Sequence, residues 1–149
     1  MPEFHPPNPS RVLSHVKRLL IDAGFEVFRT RGEEIVLAER PRENLIMDSG
    51  VRLRVAEPLE VRVVLRAQKA DFPNEDGPVL FDRVRRLAAA SLARGFAEAE
   101  TSITRVADPG DGARTLDTFY EITYAKAASD LDDAIVELKR ALGIEKRAQ

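Results

Sequence analysis

The sequence predicts an α+β fold: a single domain in the order α-β-β-β-α-β-β-α, with a mainly antiparallel sheet packed against helices. Three observations predict it. Apolar residues recur at helical spacing in three segments, they alternate with polar residues in the segments between, and Gly- or Pro-containing turns separate these segments. A length of 149 residues fits one domain, 1–149, and no internal repeat divides the chain.

The first helix is predicted to begin at Asn8 and Pro9 and to end at Gly24. Asn can cap a helix, Pro is favoured in the first helical turn, and Gly is favoured just after the last turn. Residues 1–8 are predicted to form an extended N-terminal arm. The apolar face of the helix comprises Val12, Leu13, Val16, Leu19, Leu20 and Ala23.

A β-hairpin is predicted next, because two alternating stretches, Phe25–Arg31 and Ile35–Ala38, flank a turn near Gly32. The longer stretch Val51–Leu65 then keeps a period of two. It predicts one long strand, or two strands with a bulge at Glu57-Pro58.

The two faces of this stretch differ in chemistry. One face is predicted to lie in the core and carries Val51, Leu53, Val55, Leu59, Val61, Val63 and Leu65. The other face carries Arg52, Arg54, Glu60, Arg62 and Arg66, which is typical of a sheet face in contact with solvent.

A second helix is predicted from Pro78 to Gly95, after a polar loop. A second hairpin follows, with strands Phe96–Val106 and Leu116–Ala125 joined by a turn rich in Asp, Pro and Gly. The last helix is predicted to begin at a capping pair, Ser129 and Asp132, and to close at Gly143, which leaves a frayed C-terminus, 144–149.

Composition excludes several classes of function. The chain has no Cys, so disulfides, thiol nucleophiles and zinc fingers are excluded. A formal charge of −2 argues against a general polyanion binder. No apolar run is long enough to span a bilayer and the first residues do not resemble a secretory signal, so we predict a cytoplasmic protein with no membrane partner.

Few residues of the sequence suggest a catalytic or metal-binding role. His5 and His15 have no second metal ligand nearby in the sequence. Asp48 with Glu60-Val61-Arg62 resembles the acidic set with which nucleases hold magnesium, but Arg62 stands where Lys is expected. We therefore predict no catalytic residue, no metal site and no cofactor, and a protein that is not an enzyme.

A nucleic-acid interface is one open alternative. The first helix, the strands after it and the second helix match the order of a double-stranded RNA-binding domain, in which Arg83, Arg85 and Arg86 could meet phosphates. The Gly-Pro-X-His loop of that family is absent from the sequence. The three arginines are equally typical of the solvent-exposed face of an amphipathic helix.

The complete order of elements, from Pro9 to Leu142-Gly143, resembles the small α/β fold of class I type III secretion chaperones and of the related bacterial YbjN-like proteins. This resemblance lies in topology and element lengths. It implies a homodimer without enzymatic activity that holds extended segments of client proteins along exposed sheet surfaces.

Two hypotheses follow from these observations. The first is a non-enzymatic protein-binding module, chaperone- or adaptor-like, that holds a partner polypeptide or a second copy on its sheet surface. The second is a binder of an anionic ligand or nucleic acid through the arginine-bearing sheet face. The candidate residues for partner or anion binding are Arg52, Arg54, Arg62 and Arg66.

Overall fold

The computed structural model describes residues 9–148, so the predicted arm over residues 1–8 lies outside the described part. The described residues form six strands, four α-helices and one 3-10 turn: α1 (Pro9–Asp22), β1 (Val27–Arg31), β2 (Glu34–Arg42), β3 (Leu45–Arg54), β4 (Leu59–Gln68), η1 (Lys69–Asp71), α2 (Gly77–Leu87), α3 (Ala89–Ala93), β5 (Ala97–Asp108), β6 (Asp111–Ala128) and α4 (Leu131–Ala148). The strands make one sheet in the order β1-β2-β3-β4-β6-β5. The predicted α+β class with a mainly antiparallel sheet is confirmed. Among residues 9–148, no helix has the length and apolar character needed to cross a membrane.

Two elements are divided where the sequence suggested continuity. The alternating stretch Val51–Leu65 falls on two strands, β3 and β4, which was the second of the two predicted alternatives, so four strands precede α2. The predicted second helix is interrupted at Ala88, where α2 ends and the short α3 begins. Gly95 follows the last turn with a φ of 93°, as predicted for a residue that ends a helix.

The chain divides into two compact units, of which the first comprises the described residues up to Val61 together with Ala127–Leu142. The prediction of a single domain stays a prediction.

Gly24, with a φ of 98°, ends α1, and the Phe25 N–H donates back to the Leu20 carbonyl at 3.1 Å. The buried apolar residues of this unit are Val16, Leu20, Phe25, Ile35, Val36, Leu37, Ala38, Val51, Leu53, Val61, Ala128, Ala134, Leu138 and Ala141.

A bulge in β3 is closed by side-chain hydrogen bonds. The bulge lies between Asp48 and Arg52, where the register between β2 and β3 shifts. The buried Ser49 hydroxyl donates to the Leu37 carbonyl at 2.7 Å and accepts from the Val51 N–H at 3.1 Å. The Asp48 carboxylate accepts from the Gly50 N–H at 2.8 Å, and Gly50 has a φ of 80°, which favours glycine. Ser49 and Asp48 therefore satisfy backbone groups that the irregular ladder would leave unpaired.

The last helix departs from the sequence prediction at both ends. Asp130 caps it by accepting from the Asp133 N–H at 2.8 Å, and the Asp133 carboxylate accepts from the Ser129 N–H at 3.0 Å. The capping pair thus lies one residue beyond the predicted Ser129 and Asp132. Helix α4 also continues to Ala148, so the prediction that Gly143 closes it was wrong. Glycine without a positive φ costs a helix only about 1 kcal/mol and does not stop it.

The second unit contains residues 62–126. Helix α2 is capped by Asp76, whose carboxylate accepts from the Val79 N–H at 3.2 Å. It lies over β6, where Phe81 and Tyr120 meet edge to face with ring centroids 5.4 Å apart. The buried residues of this unit are Val63, Leu65, Ala67, Leu80, Val84, Ala88, Ser91, Phe96, Ile122 and Tyr124.

Tyr124 is 1% exposed, and its hydroxyl has no hydrogen-bond partner among the described residues. Burial raises the pKa of this phenol, since the charged form loses its hydration. Replacing Tyr124 with Phe is expected to raise the free energy of unfolding by about 1 kcal/mol, because the unsatisfied polar atom is removed and the ring is kept. Urea unfolding measures this difference.

The half-buried Tyr120 provides the control for this substitution. Tyr120→Phe is expected to change stability by less than about 0.5 kcal/mol, because its hydroxyl does not lie among the fully buried, unsatisfied atoms. A Tyr124→Phe variant that unfolds at lower urea than the wild type would contradict this account of the hydroxyl.

Candidate functional site

Strand β5 is the last strand in the sheet order, so one of its two backbone edges faces away from β6. The strand is twelve residues long, and ten of them are exposed. Because successive residues of a strand direct their N–H and C=O groups to opposite sides, every second residue of β5 directs its backbone groups to this outer edge, where no strand of residues 9–148 pairs with it. An edge of this length can accept another strand.

The middle of β5 is regular. Its register against β6 runs without a shift from Glu100, opposite Thr123, to Val106, opposite Asp117. Irregularities lie on both sides, between Glu98 and Glu100 and after Val106. Bulges are one device with which proteins protect sheet edges, and here they leave the central stretch unprotected.

The charged side chains at the ends of β5 are engaged within the second unit. Arg85 on α2 donates to the Glu98 carboxylate at 3.1 Å, and this hydrogen bond lowers the pKa of Glu98. Arg105 donates to the Thr115 hydroxyl and, at 2.9 Å, to the Ala113 carbonyl. The other two charged residues of β5 also have partners in this unit: Glu100, whose side chain is 65% exposed, lies 3.8 Å from Arg62, and Asp108 lies 3.9 Å from Arg114.

The centre of β5 carries no charge. It reads Thr101-Ser102-Ile103-Thr104, and the Ile103 side chain is 61% exposed. Ile103 lies opposite Tyr120 in the β5–β6 ladder, on the sheet face that also carries the buried Ile122. An exposed β-branched residue on a neutral edge strand is suited to cross-strand packing against an added strand.

The predicted arginines of the second unit lie on the other sheet face. Arg66 contacts Glu121 at 3.3 Å, and its guanidinium lies 4.9 Å from the centroid of the Phe119 ring. Arg62 lies 3.8 Å from Glu100. The Thr104 hydroxyl also donates to Glu121, at 3.1 Å. Positive charge on this face is balanced by carboxylates of the same unit.

The predicted arginines of the first unit also contact carboxylates. Arg52 lies 3.2 Å from Asp48, and Arg54 lies 3.2 Å from Glu33 and 3.3 Å from Glu60. The hydrogen bond to Glu60 is the main cause that raises the pKa of Arg54. This pairing lowers the expected attraction of these side chains for a polyanion. The role of Arg52, Arg54, Arg62 and Arg66 in partner or anion binding stays a prediction.

The acidic set that resembles a magnesium site has other contacts. Asp48 accepts from Gly50 and Arg52 at the β3 bulge, and Glu60 contacts Arg54. His15 lies exposed on α1. Within residues 9–148, no group of three or more His, Asp or Glu side chains is placed to hold a metal ion.

Sequence reasoning did not single out Ile103 or the β5 edge. The one available signal was an apolar residue isolated within a run of Thr and Ser, but the position of a strand within a sheet is not encoded in its own periodicity. A strand becomes an edge only through its pairing with distant segments. Compared with family models, curated proteins and solved structures, the chain shows no match.

Proposed function

We propose that this protein is a non-enzymatic protein-binding module, chaperone- or adaptor-like, that takes up an extended polypeptide segment along the outer edge of β5. The exposure of ten of the twelve residues of this edge strand supports the proposal most directly. Addition of a strand satisfies the outer N–H and C=O groups of β5 and gives affinity that depends little on sequence.

The chemistry of the edge defines the partner segment. The regular stretch Glu100–Val106 fits an extended segment of about seven residues, since paired strands match residue for residue. Its neutral centre favours a partner segment without charge in the middle. Ile103 favours an apolar or β-branched residue directly opposite, where side chains of paired strands touch.

A second copy of the chain is a further occupant of the same edge. Two β5 strands can pair antiparallel about Ile103, which puts the two Ile103 side chains opposite each other on one face of a joined sheet. This arrangement corresponds to the homodimer that the chaperone resemblance implies. The experiment below separates it from binding of another polypeptide.

The test is native mass spectrometry of the protein purified gently from its own source, in the wild-type form and as Ile103→Lys. Lys on an edge strand opposes strand addition, and at an exposed position it is expected to change stability by only about 0.5 kcal/mol. The wild type is expected to carry another polypeptide, and Ile103→Lys is expected to lose it. Hydrogen exchange is expected to show protection of the Glu100–Val106 amides in the complex.

Val136→Lys is the matched control, because Val136 is 47% exposed and belongs to helix α4, not to the edge strand. This variant is expected to keep the partner. A dimer of this chain that Ile103→Lys dissociates would assign the edge to self-pairing instead. Association that survives Ile103→Lys, or no association in the wild type, would overturn the proposal.

A further inference from the structure

A cavity of about 300 Å³ lies in the second unit, between the end of β4, the turn η1 and helix α2. Its volume lies at the lower end of the range for small-molecule sites. The lining residues combine an apolar group with several charges: Ala67, Phe72, Leu87, Gln68, Asp71, Arg66, Arg83 and Arg86. The two α2 arginines of the lining and one carboxylate thus border a partly apolar space, whereas the guanidinium of Arg66 lies on the other sheet face, against Phe119 and Glu121.

Two of the three arginines are held by carboxylates. Arg83 contacts both oxygens of Glu75, with 2.6 Å between Nη2 and Oε1, and its guanidinium lies 4.0 Å from the centroid of the Phe72 ring. This hydrogen bond lowers the pKa of Glu75 and keeps the pair ionised. Arg66 makes a single contact with Glu121, at 3.3 Å. These contacts fix the shape and charge of the cavity wall.

Arg86 differs from its two neighbours in the lining. Among the described residues it makes no hydrogen bond and no ion pair, and its recorded interaction is the electrostatic attraction to the Glu75 carboxylate, which Arg83 already occupies. A guanidinium presents two parallel N–H donors that match a carboxylate or phosphate. Arg86 therefore supplies a cation with unused donors at the edge of an apolar space.

We propose that this cavity binds a small organic anion with an apolar body, whose acidic group pairs with Arg86 and whose body lies against Phe72 and Leu87. The volume of about 300 Å³ suits a ligand smaller than a typical drug molecule. An inorganic anion would leave the apolar wall uncovered, and an organic cation would meet Arg86, whose charge no carboxylate contacts directly. This site is independent of strand addition at β5.

The proposal is tested with phenylpropionate and its uncharged analogue phenylpropanol, each titrated into the full-length protein labelled with nitrogen-15. Phenylpropionate is expected to shift the amide resonances of 66–72 and 83–87 in the NMR spectrum. We expect it to bind at least about tenfold more tightly than phenylpropanol, because only the acid can form the charge-assisted pair with Arg86.

Two variants separate the role of Arg86 from general charge effects. Arg86→Gln is expected to reduce the preference for the acid to less than about twofold, with unchanged thermal unfolding, because Arg86 is exposed and its guanidinium holds no other residue. Arg94→Gln removes an exposed arginine outside the lining and is expected to retain the preference. Equal binding of acid and alcohol, shifts confined to other residues, or an Arg86→Gln variant that keeps the preference would overturn the proposal.

Discussion

Replacing Val63 with Asp is expected to unfold the protein at room temperature. Val63 lies in β4, is 2% exposed and belongs to the buried set of the second unit. A carboxylate placed there loses its hydration without gaining a partner, at a cost of about 4–5 kcal/mol or more. Since single domains are stable by about 5–15 kcal/mol, a cost of this size or more exceeds the margin of a protein at the lower end of that range. Circular-dichroism melting and gel filtration measure the loss of the folded form.

The neighbouring Val64 offers a matched control, because the same substitution one residue along puts the carboxylate on the opposite face of β4. Val64 is partly exposed, so Val64→Asp is expected to cost much less than Val63→Asp. Arg62→Glu, on the same face as Val64, sets a carboxylate against Glu100 and is expected to cost about 1 kcal/mol, far less than Val63→Asp. Equal losses of stability at Val63 and Arg62 would show that the two faces of β4 have been assigned incorrectly.

Replacing Ser49 with Ala is expected to lower the free energy of unfolding by about 2 kcal/mol. The buried hydroxyl serves the Leu37 carbonyl and the Val51 N–H at once, and alanine leaves both backbone groups buried without this partner. The cost arises from desolvation, because neither group regains water inside the core. Urea unfolding curves of the two proteins give the difference directly.

Ser102→Ala is the control for this measurement. Ser102 is an exposed serine on β5, so its loss is expected to change stability by less than about 0.5 kcal/mol. If Ser49→Ala were as stable as Ser102→Ala, the hydroxyl would not be needed to close the β3 bulge, and water or a shift of the strand would satisfy the backbone instead.

The sequence predicted the buried face of the sheet well. Of the seven core residues that the period of two from Val51 to Leu65 predicted, five are buried and two, Val55 and Leu59, are half-buried beside the break between β3 and β4. This success has a local cause, since alternation along a strand fixes which side chains share a face whatever the strand pairs with. The helix ends at Gly24 and Gly95 were predicted for the same reason, because each needs only its own backbone conformation.

The parts that the sequence did not predict depend on contacts between distant residues. The partner of Arg66 is Glu121, 55 positions away, and no local pattern pairs them. The cavity beside α2 forms where β4 and η1 meet that helix, so Arg86 is distinguished from Arg83 only by which of them reaches Glu75. The cap at Asp130 was missed by one residue because Ser129, Asp130, Asp132 and Asp133 all suit capping.

The two end strands of the sheet order are unequal, and this bears on how copies of the chain can pair. Strand β1 has five residues, with Arg29 and Arg31 among them, whereas β5 has twelve. A head-to-tail filament needs the β1 edge of one copy to pair with the β5 edge of the next. Such a contact would have few backbone hydrogen bonds, because β1 has only five residues, and two of these carry positive charge. If copies of the chain were to join edge to edge in this way, the five residues of β1, and not the twelve of β5, would set the length of the ladder between them.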